Sequence, residues 1–322
     1  MLEAPFPWFG GKRRAAKGVW ARFGSVANYV EPFFGSGAVL FGRPGPVSGT
    51  ETINDKDGFV SNFWRAVKAD PGAVAGYANN PVNENDLHAR HIWLVNNAAS
   101  LVPSLEGDPY FYDAKIAGWW VWGVSCWIGS GFCSGNGSWK LNEQRQLVHL
   151  GNTGQGVKRQ LVHLGTAGQG VKRKRVHLGS ADDSGLIPWF HALAARLRNV
   201  RVCSGDWSRV CGPTPTYNRG MTAVFLDPPY SHDVRDVGLY SEDQAGISDK
   251  AREWAIETGK RPDMRIALCG YDGEHEMPLD WKMCVGKATH GPGYGAQAEK
   301  RSGNHKLERI WYSPACLSPG LF

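Results

Sequence analysis

The chain has 322 residues, 42% of them hydrophobic, enough to bury a full α/β core and still carry a second, smaller region. It has no positive, then apolar, then small leader pattern and no apolar run of about 18 residues, so a secretory leader and a membrane span are not expected and a soluble, cytoplasmic protein is. Seven cysteines (126, 133, 203, 211, 269, 284 and 316) form no CxxC pair, which argues against a disulfide framework and a thiolate zinc site and reads them as reduced packing residues. The formal charge is +6, and its placement is uneven. Between Lys140 and Ser180, eight basic residues (Lys140, Arg145, Lys158, Arg159, Lys172, Arg173, Lys174, Arg175) stand against Glu143 alone, a local +7 that leaves the rest of the chain at −1. Clustered Lys/Arg of this kind fits contact with a polyanion, because counterion release rewards it; a merely solvated basic loop is the plainer alternative.

In chain order, Asn28–Pro32 predicts a short strand, Phe33-Phe34-Gly35-Ser36-Gly37 a tight turn, and Ala38–Phe41 the start of the next element. Thr50–Asn54 predicts a second strand, and Gly58–Lys68 a helix with Phe59, Val60, Phe63, Trp64 and Val67 at helical spacing. Two short strands joined by a compact crossover open a doubly wound α/β sheet. From about Pro71 to Asp183 this rhythm stops in a stretch rich in Trp, Gly and Asn. Its second half repeats with a period of 14: RQLVHLGNTGQGVK at 145–158, RQLVHLGTAGQGVK at 159–172 and a partial RKRVHLGSA at 173–181. That period suits one strand and one Gly-rich turn per unit, with His149, His163 and His177 in register and a basic stripe at the turns. These histidines read better as stacking or phosphate-contacting groups than as a metal site, since they lack short ligand spacing. The aromatic run Trp119-Trp120-Val121-Trp122-Gly123 through Phe132 reads as core first and as a base-reading surface second. After Asp183 the α/β rhythm resumes: a helix at Trp189–Leu197, strands at Val200–Ser204 and Ala223–Leu226, a helix at Asp243–Thr258, and strands at Arg265–Cys269, Trp281–Gly286 and Leu307–Tyr312. Neither flank holds enough strands to close a core alone, so one sheet domain (1–70 and 186–322) interrupted by an insertion (71–185) is expected.

The sharpest chemical signal is Asp227-Pro228-Pro229-Tyr230 directly after an apolar strand. Ligands of a doubly wound sheet sit at the carboxyl ends of its strands, which places this tetrapeptide at the mouth of the site. Two prolines fix the backbone and remove two N–H donors, leaving carbonyls to accept. An acid, acceptor carbonyls and a tyrosine face together suit a planar base bearing an amino group: Asp227 and the Pro228 carbonyl take the amine hydrogens and Tyr230 stacks on the ring. The Glu31–Gly37 turn allows a ligand to approach the backbone closely, although its spacing is not GxGxxG. Asp55, ending the second strand, is placed to hold two ribose hydroxyls, or else to cap the helix that follows.

Pro7-Trp8-Phe9-Gly10-Gly11-Lys12, Glu31–Gly37, Asn54-Asp55 and Asp227–Tyr230, in that order and with an insertion before the last, resemble the D12-class, Dam-type family of N6-adenine DNA methyltransferases. The resemblance covers about 1–70 and 186–315 and implies a Rossmann-like sheet, S-adenosylmethionine as cofactor, S-adenosylhomocysteine as product, and no metal. It implies that Trp8, Lys12 (near the methionine carboxylate), Glu31, Phe33, Gly35, Gly37, Asp55, Asp206 (near the cofactor adenine) and Asp227 line the cofactor site, and that Asp227, Pro228, Pro229 and Tyr230 form the catalytic tetrapeptide. Methyl transfer would be direct and in line, on a base flipped out of the duplex. The insertion would be the target-recognition region, with Arg145, Lys158, Arg159, Lys172, Arg173, Lys174 and Arg175 on double-stranded DNA. A monomer or weak dimer in a bacterial or phage-infected cell is expected, with a cognate restriction endonuclease as a candidate partner. The repeats and the aromatic run depart from commoner members and leave the target sequence open. The rival readings are N4-cytosine methylation, a more distant activity on structured RNA, and a DNA-binding module that has lost catalysis. A nicotinamide oxidoreductase is disfavoured by the missing third glycine.

Overall fold

The computed structural model describes residues 2–6, 8, 12–45, 47, 49–127, 132–133, 139–141, 147–149, 185–229, 246–285 and 308–318. Helix α1 (Ala16–Phe23) leads into β1 (Asn28–Glu31), α2 (Ala38–Phe41), β2 (Thr50–Asp55) and α3 (Gly58–Ala69). Three more helices follow, α4 (Pro71–Ala78), α5 (Glu84–Gly107) and α6 (Ala114–Cys126), then a short antiparallel pair, β3 (Trp139–Leu141) and β4 (Leu147–His149). The remainder is α7 (Leu186–Leu197), β5 (Val200–Ser204), two 3₁₀ turns (Trp207–Val210 and Tyr217–Arg219), β6 (Thr222–Leu226), α8 (Ile247–Thr258), β7 (Met264–Tyr271), β8 (Lys282–Val285) and β9 (Glu308–Tyr312).

Seven strands form one sheet in the order β5-β2-β1-β6-β7-β9-β8. β5, β2, β1, β6 and β7 pair in parallel, while β9 runs antiparallel to both β7 and β8. This is a mixed, doubly wound Rossmann-like sheet, and its strand order reverses between β1 and β6. In such sheets the crevice outside the carboxyl ends at the reversal receives the ligand.

Strand side chains alternate between faces, and the sheet is buried on both. Tyr29, Ile53, Ala223, Phe225, Ala267 and Cys269 join the larger apolar cluster with α1 to α7, whereas Val30, Val224, Leu226, Ile266 and Leu268 pack with the 207–210 turn and α8. Where the α/β rhythm stops at Pro71, three helices that the sequence reading did not resolve, α4 to α6, follow one another without a strand and form a helical layer over 71–126. α6 packs on α3 and α4, and α7 on the same two helices. At Gly118 any side chain would run into Tyr77 and the Val74 carbonyl, so α4 and α6 touch nearly backbone to backbone. Asn62, in α3, holds the start of α6 through paired bonds with the Asp113 backbone, 2.9 and 2.8 Å. Trp120 and Trp122 are fully buried, so the aromatic run is core, as its first reading has it. All seven cysteines are free, and five of them are buried. The histidine register, the basic stripe and most of the 14-residue repeats lie outside the described residues, as does 243–245 of the expected helix.

Candidate active site

Four strand ends meet at the crevice. β1 ends on Glu31, β2 on Asn54-Asp55, β5 on Ser204 with Gly205-Asp206 after it, and β6 runs into Asp227. The loops between them are tied across the strands: the Asn54 side-chain amide donates to the Pro32 carbonyl (3.1 Å) and the Gly205 carbonyl (3.0 Å), and Gly205 N–H donates to the Asp55 carbonyl (3.1 Å).

The 33–37 turn is built on positive φ, +48° at Gly35 and +72° at Gly37, which only glycine adopts without strain. A Cβ at Gly35 would strike the Trp8 indole, so Trp8 lies directly on the turn. Below it, the Trp64 indole N–H donates to the Gly35 carbonyl at 2.8 Å. Phe33 stacks with Trp207, centroids 5.9 Å apart, joining this turn to the loop after β5.

Asp55 accepts from Gly35 N–H (2.8 Å) and Asp57 N–H (2.9 Å). It is not the helix cap: Asp57 caps α3, taking the N–H groups of Phe59 and Val60, because its extended backbone turns the carboxylate back onto the first helical turn. Burial, helped by the charge of Asp57, pushes the Asp55 carboxyl up to about 7 against the pull of the Gly35 N–H. Asp206 is exposed and caps the 207–210 turn; its bond from the Ser208 hydroxyl holds its carboxyl below the usual range.

Deeper in the crevice, Lys12 is 4% exposed and its Nζ lies 3.0 Å from Asp227 Oδ1 and 3.7 Å from Glu308 Oε1. Burial alone would drive the ammonium to shed its proton, but Asp227 and Glu308 outweigh it and hold the pKa above the ordinary lysine value. Glu31 is 2% exposed and accepts the Tyr29 hydroxyl at 2.7 Å; burial raises its carboxyl well above the usual range. Pro228 is buried and Pro229 half-buried.

The structure thus brings Trp8, Lys12, Glu31, Phe33, Gly35, Gly37, Asp55, Asp206, Asp227, Pro228 and Pro229 to the same edge of the sheet. Tyr230, the rest of the 7–11 motif, and Arg145, Lys158, Arg159, Lys172, Arg173, Lys174 and Arg175 lie outside the described residues. The sequence reading missed Glu308 and Cys269, whose thiol burial likewise pushes up. An isolated acid opening a strand carries no local signal. Trp207 was legible only as the neighbour of Asp206.

Among the described residues no group of three or more His, Cys, Asp or Glu side chains is placed to hold a metal ion, and no helix is long and apolar enough to cross a membrane. A search of curated proteins finds no match. Residues 8–97, which contain Trp8, Lys12, the glycine turn and Asp55, match the family model described as D12 class N6 adenine-specific DNA methyltransferase. Over that span the chain carries a domain of the D12 class N6 adenine-specific DNA methyltransferases, S-adenosylmethionine-dependent enzymes that methylate adenine at N6 in DNA.

Proposed function

We propose a site-specific DNA adenine N6-methyltransferase in which Asp227 and the Pro228 carbonyl hold the exocyclic amine, while Trp8, Lys12, Phe33, Gly35, Gly37, Asp55 and Asp206 hold the cofactor above buried Glu31. The buried Lys12–Asp227 ion pair at the strand-order reversal is the observation that carries this reading. The intact Lys12, Asp55 and Asp227 at one crevice also count against a module that has lost catalysis.

The residues fit the cofactor. The glycine turn leaves room for a ligand at the backbone, Asp55 offers acceptors for ribose hydroxyls, and two polar atoms at this edge, Asn54 Oδ1 and Ser204 Oγ, are buried without a hydrogen-bond partner among the described residues. Bound S-adenosylmethionine supplies an electrophilic methyl group. The chain supplies placement. An ionised carboxylate can only accept hydrogen bonds, so Asp227 takes an amine hydrogen and leaves the nitrogen lone pair directed at the methyl donor. Lys12 fixes the orientation of that carboxylate. The amine proton leaves after the methyl arrives, so Asp227 need not be a strong base.

Because the amine of a paired adenine is out of reach, the target base is extruded, with Tyr230 stacking on it. Residues 71–185 serve as the target-recognition region: α4 to α6 anchor it to the sheet, and Arg145, Lys158, Arg159, Lys172, Arg173, Lys174 and Arg175 meet phosphates. The same reading has the enzyme act in the cytoplasm, as a monomer or weak dimer, with a cognate restriction endonuclease as the candidate second component.

Expression in cells lacking DNA methylation, followed by native sequencing of their DNA, tests this. Wild type should leave N6-methyladenine at one short motif, and Asp227→Ala none while still binding cofactor. N4-methylcytosine instead would change the base and keep the chemistry. Unmodified DNA from a folded, cofactor-binding wild type would overturn the reading.

A further inference from the structure

Beyond the last rung of a parallel ladder, twisted strands drift apart, and the loops that follow them need another tie. β2 lies between β1 and β5, and Asn54 is its next-to-last residue. The Asn54 side chain is 1% exposed and reaches both ways, donating to the Pro32 carbonyl (3.1 Å) directly after β1 and to the Gly205 carbonyl (3.0 Å) directly after β5. Carbonyls only accept, so the amide nitrogen, with its two hydrogens, has to face both. Pro32 leads into the glycine turn and Gly205 into Asp206, so this fork sets how far the turn lies from Asp206. A little further along, the Phe33–Trp207 stack is a softer contact between the same two loops.

Each loop also keeps its own backbone bond to β2. Phe34 N–H donates to the Asn54 carbonyl (3.0 Å), and Gly205 N–H to the Asp55 carbonyl (3.1 Å). Losing the fork therefore leaves each loop attached and frees the spacing between them. In the methyltransferase reading, on which this inference rests, the turn meets the methionine part of the cofactor and Asp206 its adenine. We infer that Asn54 is a positioning residue that sets the reach of the cofactor site: a ligand spanning both loops depends on it, and a ligand held at one end does not. A preset spacing spares the intact cofactor the ordering of two loops against each other, a cost that a fragment never meets.

Calorimetric titration of S-adenosylhomocysteine and of adenosine tests this in wild type, Asn54→Ala and Asn54→Asp, with thermal melting to confirm the fold. Asn54→Asp keeps the shape of the side chain and, when ionised, has no hydrogen to donate. Both variants should weaken S-adenosylhomocysteine about tenfold and shift adenosine by less than about twofold, the pattern of preorganisation lost between two halves of one site. A loss for adenosine as large as that for S-adenosylhomocysteine would reduce Asn54 to a structural role, and an unchanged S-adenosylhomocysteine affinity would also overturn the inference. Should neither variant fold, amide hydrogen exchange of the wild type decides. S-adenosylhomocysteine must slow exchange at Phe34 and Gly205 together and adenosine at Gly205 alone; protection of both by adenosine overturns the idea. A wild type that binds neither ligand would instead sink the methyltransferase reading itself.

Discussion

Among the described residues, one charge cluster of this sheet is built around a lysine and another around a glutamate. At the carboxyl edge, Lys12 faces Asp227 and Glu308. Near the start of β2, Glu51 faces Arg43 and Arg196: Arg196 grips both of its oxygens (2.6 and 2.8 Å) and Arg43 bonds one (2.9 Å). The two guanidiniums also donate to the Val26 and Leu40 carbonyls. Planar, forked donors matched to a carboxylate make a closed structural knot that ties α7 and the loop after α2 to the sheet. The lysine cluster is built on a compact ammonium, and it lies where the strand order reverses. The difference teaches that burial of charge alone does not mark a site; its place at a strand-end crevice does.

Removing the ammonium should separate the two clusters most sharply. Lys12→Met is expected to cut methyl transfer about 10³-fold, the scale seen when a preorganised electrostatic group is lost, with the protein still folded. Single-turnover methylation of a duplex carrying the target motif measures this, and a loss below about threefold would place Lys12 with the structural cluster. Glu51→Gln should do the reverse, costing about 3–5 kcal/mol of stability by stranding two buried guanidiniums, while the folded protein binds S-adenosylmethionine normally. Urea unfolding checks the first part and calorimetry the second. Gly35→Ala forces a side chain into the left-handed region and against Trp8, at about 1–2 kcal/mol for the backbone alone, and should weaken cofactor binding roughly tenfold. Equilibrium titration would show it, and an unchanged affinity would mean that the turn does not meet the ligand.

The smallest effect is one of pH. Asp55, pushed to about 7 in the fold by burial and Asp57, keeps its proton above the pH at which the unfolded chain loses it. Between about pH 4 and 7 the native state binds more protons, so this residue's share of stability is full at the acid end and is lost as pH rises through 7. Only the ionised form accepts hydrogens from ribose hydroxyls with both oxygens. Cofactor affinity should therefore climb by up to about tenfold between about pH 6 and 8, and Asp55→Asn should flatten the climb. A flat wild-type profile would remove Asp55 from the ribose.

What could be read beforehand follows the physics of local signals. Asp227-Pro228-Pro229 was legible because an apolar strand followed by such residues must end at the sheet edge, and the glycine turn because its spacing after β1 is local. The helices of 71–126 were not. α6 buries Ile116, Ala117, Trp120, Val121 and Trp122 on most of its circumference, which erases the 3.6-residue period. In α5 the spacing of Leu87, His91 and Leu94 is genuine, but Asn96, Asn97 and Pro103 dilute it. Asp55 and Asp57 compete for one cap, and only backbone geometry decides between them. Glu308 could not be found, since strand direction, a property of the finished sheet, is what carries it to Lys12.

The reversed strand also has a consequence for biosynthesis. A ribosome delivers Lys12 before any strand of the described sheet and Glu308 after every other one of them. Until β9 has emerged and inserted between β7 and β8, the crevice lacks Glu308 and the sheet has an open seam. A chain synthesised only as far as β8 is therefore poorly equipped to retain cofactor, and loading waits for β9.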